Sequence, residues 1–348
     1  MRLFISLSML LFAFSNTAVA QLVSADEPIN DEKYLDIVAV TGETPGPGLW
    51  RVSNGNNILW IMGTVRPLPK DMQWKSAEVM ETLNRVNVVI APPSVKANIS
   101  TADALKIAML ARPATKAMKI PNGKSLQSML ASDDYLKWLL LRNKYSLDPK
   151  KTDTLRPMFA SIELYYAAIS DVGLSRSDVI WKLIEKKSKD NKLVIIKTEI
   201  EFPLTLNYEK YKTGIKALSN SEIDDLSCFN KTTNELEGEL EILNKIASSW
   251  AVGDIDELAR LRFSDVQPPC KSVYDSVMGF QQHKQSALTS QMKARWLAVA
   301  ENALSTNAET LAVLPLRDML EIGGYLETLA LNGYKVSSPD EIYIEHND

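Results

Sequence analysis

Leu49-Trp50-Arg51-Val52 and Ile58-Leu59-Trp60-Ile61-Met62 are two runs rich in branched and aromatic residues, separated by Ser53-Asn54-Gly55-Asn56-Asn57 and followed directly by Gly63-Thr64-Val65-Arg66. Such side chains suit a pleated, half-buried surface and Asn-Gly favours positive φ, so the stretch predicts a β-hairpin. The second strand stops at Gly63. Asp71 then precedes Ala77, Met80, Leu83 and Val86 at helical spacing, and Val88-Val89-Ile90-Ala91 is a further apolar run halted by Pro92-Pro93. Strand, glycine loop, helix and strand in that order begin an α/β protein. Pro45-Gly46-Pro47-Gly48, just upstream, marks the turn at which the folded part starts, since proline presets φ and glycine accepts positive φ.

From Ser100 to Lys189 the pattern turns helical, with Leu105, Ala108, Met109 and then Tyr135, Leu136, Leu139, Leu140 at helical spacing, broken by Pro113, Pro121 and Pro149. Leu193-Val194-Ile195-Ile196 resumes the strand type. Ser219 to Leu261 is helical again, with Ser221 and Asp224 at an acidic helix start. A last long helix over 286–304 leads into the strand Leu311-Ala312-Val313-Leu314, a loop and a helix over Tyr325–Leu331. The two ends therefore echo each other as strand, loop, helix.

The chain has 348 residues, 45% apolar and 24% charged, which excludes disorder, collagen and coiled coil. Its 39 basic and 43 acidic residues give a net charge of −4 with no run of five like charges, which argues against a nucleic-acid or polybasic membrane partner. Residues 1–20 read as a secretory signal peptide: Arg2, an apolar stretch from Leu3 to Phe14, and Ala18-Val19-Ala20 before Gln21. That stretch is short of the roughly 20 residues that span a bilayer, so no stable membrane span is expected after cleavage. A polar lead over 21–44 follows, and the expected location is periplasmic or secreted. In an oxidising compartment Cys228 and Cys270 are expected to pair, two buried thiols being the alternative. With only these two cysteines and His283 and His346, a zinc site of the usual kind would need nearly all of them. His283 lies on a polar helical face and His346 in the tail, and there is no Gly-x-Ser-x-Gly elbow, complete phosphate-binding loop or Gly-x-Gly-x-x-Gly.

The opening 49–69 resembles that of the TraB/PrgY/GumN family, which includes the Tiki proteases. Leu155-Arg156-Pro157-Met158-Phe159, Lys197-Thr198-Glu199, Trp250-Ala251-Val252-Gly253-Asp254, Arg295-Trp296 and Gly324-Tyr325-Leu326 to Gly333-Tyr334 continue the resemblance in order and spacing. It implies a single α/β domain over 45–348, with a central mixed sheet flanked by helices and a large helical middle segment. It also implies, in active members, a divalent-metal site serving hydrolysis. This sequence departs at each key position. The histidine of the Gly-x-x-His loop, which begins here at Gly63, is Arg66; the expected glutamates fall on Pro92 and Lys197; an arginine position falls on Met292; and the C-terminal histidine falls on Asp318.

Arginine offers no lone pair, lysine must first lose its proton, and proline and methionine carry no carboxylate. The expectation is therefore a cleft with no catalytic residue, no metal and no cofactor. Arg66 and Lys197 would fill the charge of the lost ion with Asp318 as partner, and the cleft would bind an unknown peptide or small anionic ligand. The alternative is a metal-dependent hydrolase holding a divalent ion such as manganese or cobalt on Glu199, Asp318 and Glu321, since hard cations accept all-oxygen sites. The bland reading leaves Arg66 and Lys197 as ordinary solvated surface residues.

Overall fold

Trp50–Asn54 (β1) and Asn57–Thr64 (β2) form the predicted hairpin, with Gly55 taking φ +58° at the turn. The structure is a computed structural model that describes residues 46–70, 72, 77–203, 208–220, 223–261, 270, 273 and 282–341. The expected signal peptide over 1–20, the lead over 21–44 and His346 lie outside the described residues.

On its other edge β2 pairs in parallel with Glu309–Pro315 (β9), in register from Ile58 opposite Glu309 to Thr64 opposite Pro315. Val88–Ile90 (β4) lies parallel to β9, and Val194–Ile196 (β7) lies parallel to β4. Lys335–Ser337 (β10) runs antiparallel on β1, which gives a mixed six-stranded sheet ordered β10-β1-β2-β9-β4-β7. Leu311 to Leu314 are fully buried, as a parallel strand covered on both faces requires. Ala77–Arg85 (α1) connects β2 to β4 and Gln282–Thr306 (α10) packs on β1, β2 and β9. The buried face of α1 is Val79, Thr82 and Leu83 continuing to Val86, so the spacing is helical but Ala77 lies outside.

Between β4 and β7 stand Thr101–Ala117 (α2), Ser132–Lys144 (α3), Pro149–Thr152 (α4), Pro157–Asp171 (α5) and Val179–Asp190 (α6). After β7 come Tyr208–Ser219 (α7), Leu226–Val252 (α8) and Ile255–Arg260 (α9). Helix α5 packs on α8, α2 on α7 and α3 on α8. Pro113 does not break α2 but sits inside it on an exposed face, where water can satisfy the carbonyl it leaves without a donor. Pro149 starts α4 at its first turn, where a missing N–H costs nothing. The apolar faces read for α2 and α3 are also corrected: Leu105, Met109, Leu136 and Leu140 are exposed, and Leu110, Trp138 and Leu141 are buried instead. Two strand pairs have no signal in the sequence, Leu68–Pro69 (β3) with Leu174–Ser175 (β6), and Val95–Asn98 (β5) with Ile200–Pro203 (β8).

Arg156 joins these helices and is itself 1% exposed. It precedes Pro157 at the start of α5, and its Nε and Nη2 donate to the two oxygens of buried Asp225 at 3.0 and 3.2 Å. Nη1 donates to Leu218 O at 2.7 Å and Nη2 to Ile223 O at 3.1 Å, so one guanidinium gathers the end of α7, the start of α8 and the start of α5. Asp225 stands at the N-cap position of α8 but gives its side chain to Arg156, not to the helix. Cys228, one turn into α8, and Cys270 stand at disulfide distance with Cα atoms 5.4 Å apart, the geometry that the expected pairing needs. The bridge spans 42 residues, for which loop-closure entropy suggests about 4 kcal/mol. Replacing Asp225 by alanine strands the guanidinium in the core. The substitution is expected to cost about 3–5 kcal/mol, read as a lowered urea midpoint, and the double replacement Arg156→Met, Asp225→Leu to recover much of that loss.

Candidate functional site

The neighbouring strands β2, β9, β4 and β7 are parallel, so their carboxyl ends share one edge, the side on which open α/β sheets bind ligands. The turns that leave this edge carry Arg66, Asp318, Pro92 and Lys197, in that order across the sheet. Positions scattered over more than 250 residues of sequence thus fall on one rim. Glu199 follows Lys197 on the same turn, and Glu321 follows Leu316–Leu320 (α11), the short helix holding Asp318. Met292 is half-buried on α10; next to it Lys293 Nζ donates to Gly323 O and stands 6.0 Å from the ring centre of Tyr325.

Gly63 is glycine because of a close approach. A Cβ there would stand 2.6 Å from Leu316 Cδ1, at the start of α11, and 3.4 Å from both Met319 and Trp50. Its carbonyl accepts a buried bond of 3.0 Å from Trp250 Nε1, near the end of α8. The Trp250 to Asp254 stretch then acts residue by residue. Gly253 turns the chain with φ +76° at the end of α8, and Asp254 caps α9 by accepting from Glu257 N at 2.9 Å. Across the rim, Thr198 Oγ1 donates to either Ala91 O or Pro92 O, both at 3.2 Å, and Ala91 N donates to Ile196 O at 2.9 Å, which ties the ends of β4 and β7. Thr198 and Trp250 both lie in the family-like motifs, and their sequence carries no signal of these particular bonds.

The charges arrange themselves differently from the expected triad. Arg66 is exposed and its Nε lies 4.0 Å from Asp178, which also caps Val179–Asp190 (α6) by accepting from Trp181 N at 2.8 Å. Asp318 has Arg317 Nε at 3.9 Å and senses Arg66 only at longer range. Lys197 is exposed and makes no ion pair among the described residues. Burial, and then the neighbouring Glu321, push the Asp318 carboxyl above its usual range, while Arg317 and Arg66 oppose the rise. Burial and the same two carboxylates push the Tyr325 hydroxyl upward as well. Tyr325 packs edge-on against Trp296, ring centres 5.2 Å apart, and the buried Trp296 Nε1 has no acceptor among the described residues.

A divalent ion of the kind the family resemblance implies does not fit this donor set. Asp318 and Glu321 are close enough to raise one carboxyl, but Glu199 leaves a strand two places away, roughly 10 Å at normal strand spacing. Among the described residues no three His, Cys, Asp or Glu side chains gather to hold a metal ion.

Sheet and crossovers together define an α/β protein, and its candidate site is assembled from strand-end turns of distant segments. The model of the TraB/PrgY/gumN family matches residues 48–338, and the chain belongs to that family. No curated protein and no solved structure matches it.

Two outcomes follow from this geometry. Trp250→Phe keeps the ring but removes the donor to Gly63 O, and is expected to cost about 1–3 kcal/mol in urea unfolding. For Asp318, the raised folded pKa means that the native state holds more protons than the unfolded chain from the ordinary aspartate pKa of about 3.9 upward, so its ionisation lowers stability as pH rises through that window. Asp318→Asn removes this term. Its stability relative to the parent chain should therefore increase as pH climbs through the window and level off above the raised value, as followed by urea unfolding over a pH series.

Proposed function

We propose that the protein is an exported, catalytically degenerate member of the TraB/PrgY/gumN family, acting in the periplasm or outside the cell. Its rim binds a peptide or small anionic ligand without hydrolysing it. The observation that carries this reading is the composition of the shared carboxyl edge: Arg66, Pro92 and Lys197 stand at strand ends where the family resemblance leads one to expect metal ligands, and Asp318 alone supplies an oxygen. A cation at such a position repels a divalent ion and attracts a carboxylate or phosphate. Lys197, exposed at the rim, is the group best placed to meet a ligand's negative charge, while Arg66 is held back by Asp178. The apposition of Asp318 and Glu321 favours the second reading, a hydrolase using carboxylate ligands, because two nearby carboxylates are the start of an oxygen site.

Metal content separates the two. Residues 21–348, purified, incubated with manganese, cobalt or zinc and desalted, should retain no stoichiometric metal, and Asp318→Ala should behave the same. Metal near one equivalent in the parent chain that disappears in Asp318→Ala would replace the first reading with the second.

A further inference from the structure

Arg66 and Lys70 flank the short strand β3, and β3 pairs with β6, Leu68 opposite Ser175 and Pro69 opposite Leu174. Beside this pair, against the end of α5, lies a cavity of about 540 Å³ that none of the rim positions lines. Its floor is apolar, with Ile169 and Leu174 buried. Its mouth is cationic. Lys70 Nζ donates to Ser170 Oγ at 2.7 Å and Ser170 O at 3.3 Å, which anchors the ammonium on the last turn of α5 and leaves one N–H free of these contacts. The Arg176 guanidinium carbon sits 3.9 Å from the ring centre of Tyr166, a stacking that fixes the group and leaves its N–H edge for a planar acceptor.

Among the described residues neither cation has a carboxylate partner. Of the nearby acids, Asp178 faces Arg66 and caps the start of α6, and Asp171 is exposed and makes no ion pair with either cation among the described residues. Ser175 Oγ and Ser177 Oγ share one hydrogen bond of 2.8 Å, and Ser177 N donates to Ser175 Oγ at 3.2 Å. Two hydroxyls sharing one bond keep one proton for another acceptor. Two cations, a spare hydroxyl proton and two buried apolar side chains line a volume within the range of small-molecule sites.

We infer that this cavity binds a small molecule joining an apolar body to one oxyanion, a carboxylate or a phosphate, with Arg176 and Lys70 holding the anion and Ile169 and Leu174 receiving the body. The inference is independent of the rim reading, because it shares no residue with it.

Calorimetric titration of the purified protein with phenyl phosphate and with benzoate tests it, with phenol and inorganic phosphate as the half-ligands. Saturable binding of at least one aryl anion is expected, with phenol not binding and inorganic phosphate weaker than phenyl phosphate. Arg176→Gln and Lys70→Gln should each weaken it about tenfold or more, Arg176→Lys less than Arg176→Gln, and Lys231→Gln on α8 not at all. Matching thermal midpoints for the variants would show that folding is not the cause. The better of the two aryl anions identifies the oxyanion. No saturable binding at millimolar concentration overturns the site, as does binding that neither Arg176→Gln nor Lys70→Gln weakens. Binding that Lys197→Gln weakens and these two do not would place the anion on the rim, overturning this inference while supporting the other.

Discussion

The parallel pairing of β2 with β9 is the constraint on which the remainder hangs. Ile58 to Thr64 and Glu309 to Pro315 are near opposite ends of the chain, yet they form the centre of the sheet. Everything between them is an excursion that must leave this pair and return to it. Parallel strands need a crossover, and their ladder places both carboxyl ends on one side. That is why Arg66 and Asp318 belong to one rim although 252 positions separate them. It is also why Gly63 has no side chain: β9 brings Leu316 directly against it, and the space a Cβ would take is filled.

A long excursion gains little from local contacts alone, and the described structure returns it to the sheet through a few buried polar links. Trp250 reaches from α8 to the carbonyl of Gly63, so the helical middle is fastened to the same strand end that opens the rim. Arg156 does for the helices what Trp250 does for the sheet. A buried pair of charges gains little over well-packed apolar residues, but its loss on one side is severe, so it acts as a device for correct assembly. The disulfide from Cys228 to Cys270 joins the same region, beside Met158 and Phe159 of α5. Arg156, Asp225 and Cys228 are thus close neighbours at the foot of α8, and this one spot orders three helices.

The sheet was legible where the residues announce it. Branched runs at 49–52, 58–62, 88–91, 193–196 and 311–314 all became strands, because a strand buried on both faces must be apolar throughout and leaves a clear trace. The helices were legible in extent and less so in orientation. Leu105 and Met109 on α2, and Leu136 and Leu140 on α3, keep a helical spacing and are exposed, while Leu110, Trp138 and Leu141 take the core, because the packing partner and not the period decides which stripe is covered. Strands as short as Leu68–Pro69 leave no period at all. For the candidate site, four of the positions that the family motifs name, Arg66, Pro92, Lys197 and Asp318, follow strand ends on one edge, and Met292 lies on a helix. The motifs were not enough to name the contacts, since Asp178, 112 residues after Arg66, carries no signal of being its partner.

That partner bears on how an arginine can occupy a strand end of this kind. A guanidinium at Arg66 brings a permanent charge to the loop after β2, and a lone cation beside the buried carbonyls of a sheet edge would sit well only if solvated or paired. Asp178 supplies a partner from outside the rim: it accepts from the Trp181 N–H at the start of α6 and stands 4.0 Å from Arg66 Nε. Asp318 is then left between Arg317 and Glu321, half-buried and disposed to hold its proton longer than a free aspartate. The charges on the rim therefore do not form one salt-bridged cluster: Arg66 faces Asp178, Asp318 faces Arg317 and Glu321, and Lys197 makes no ion pair among the described residues. An exposed cation beside a half-buried carboxylate is the arrangement on which the proposed anion-holding role rests, because a divalent ion needs several converging donors.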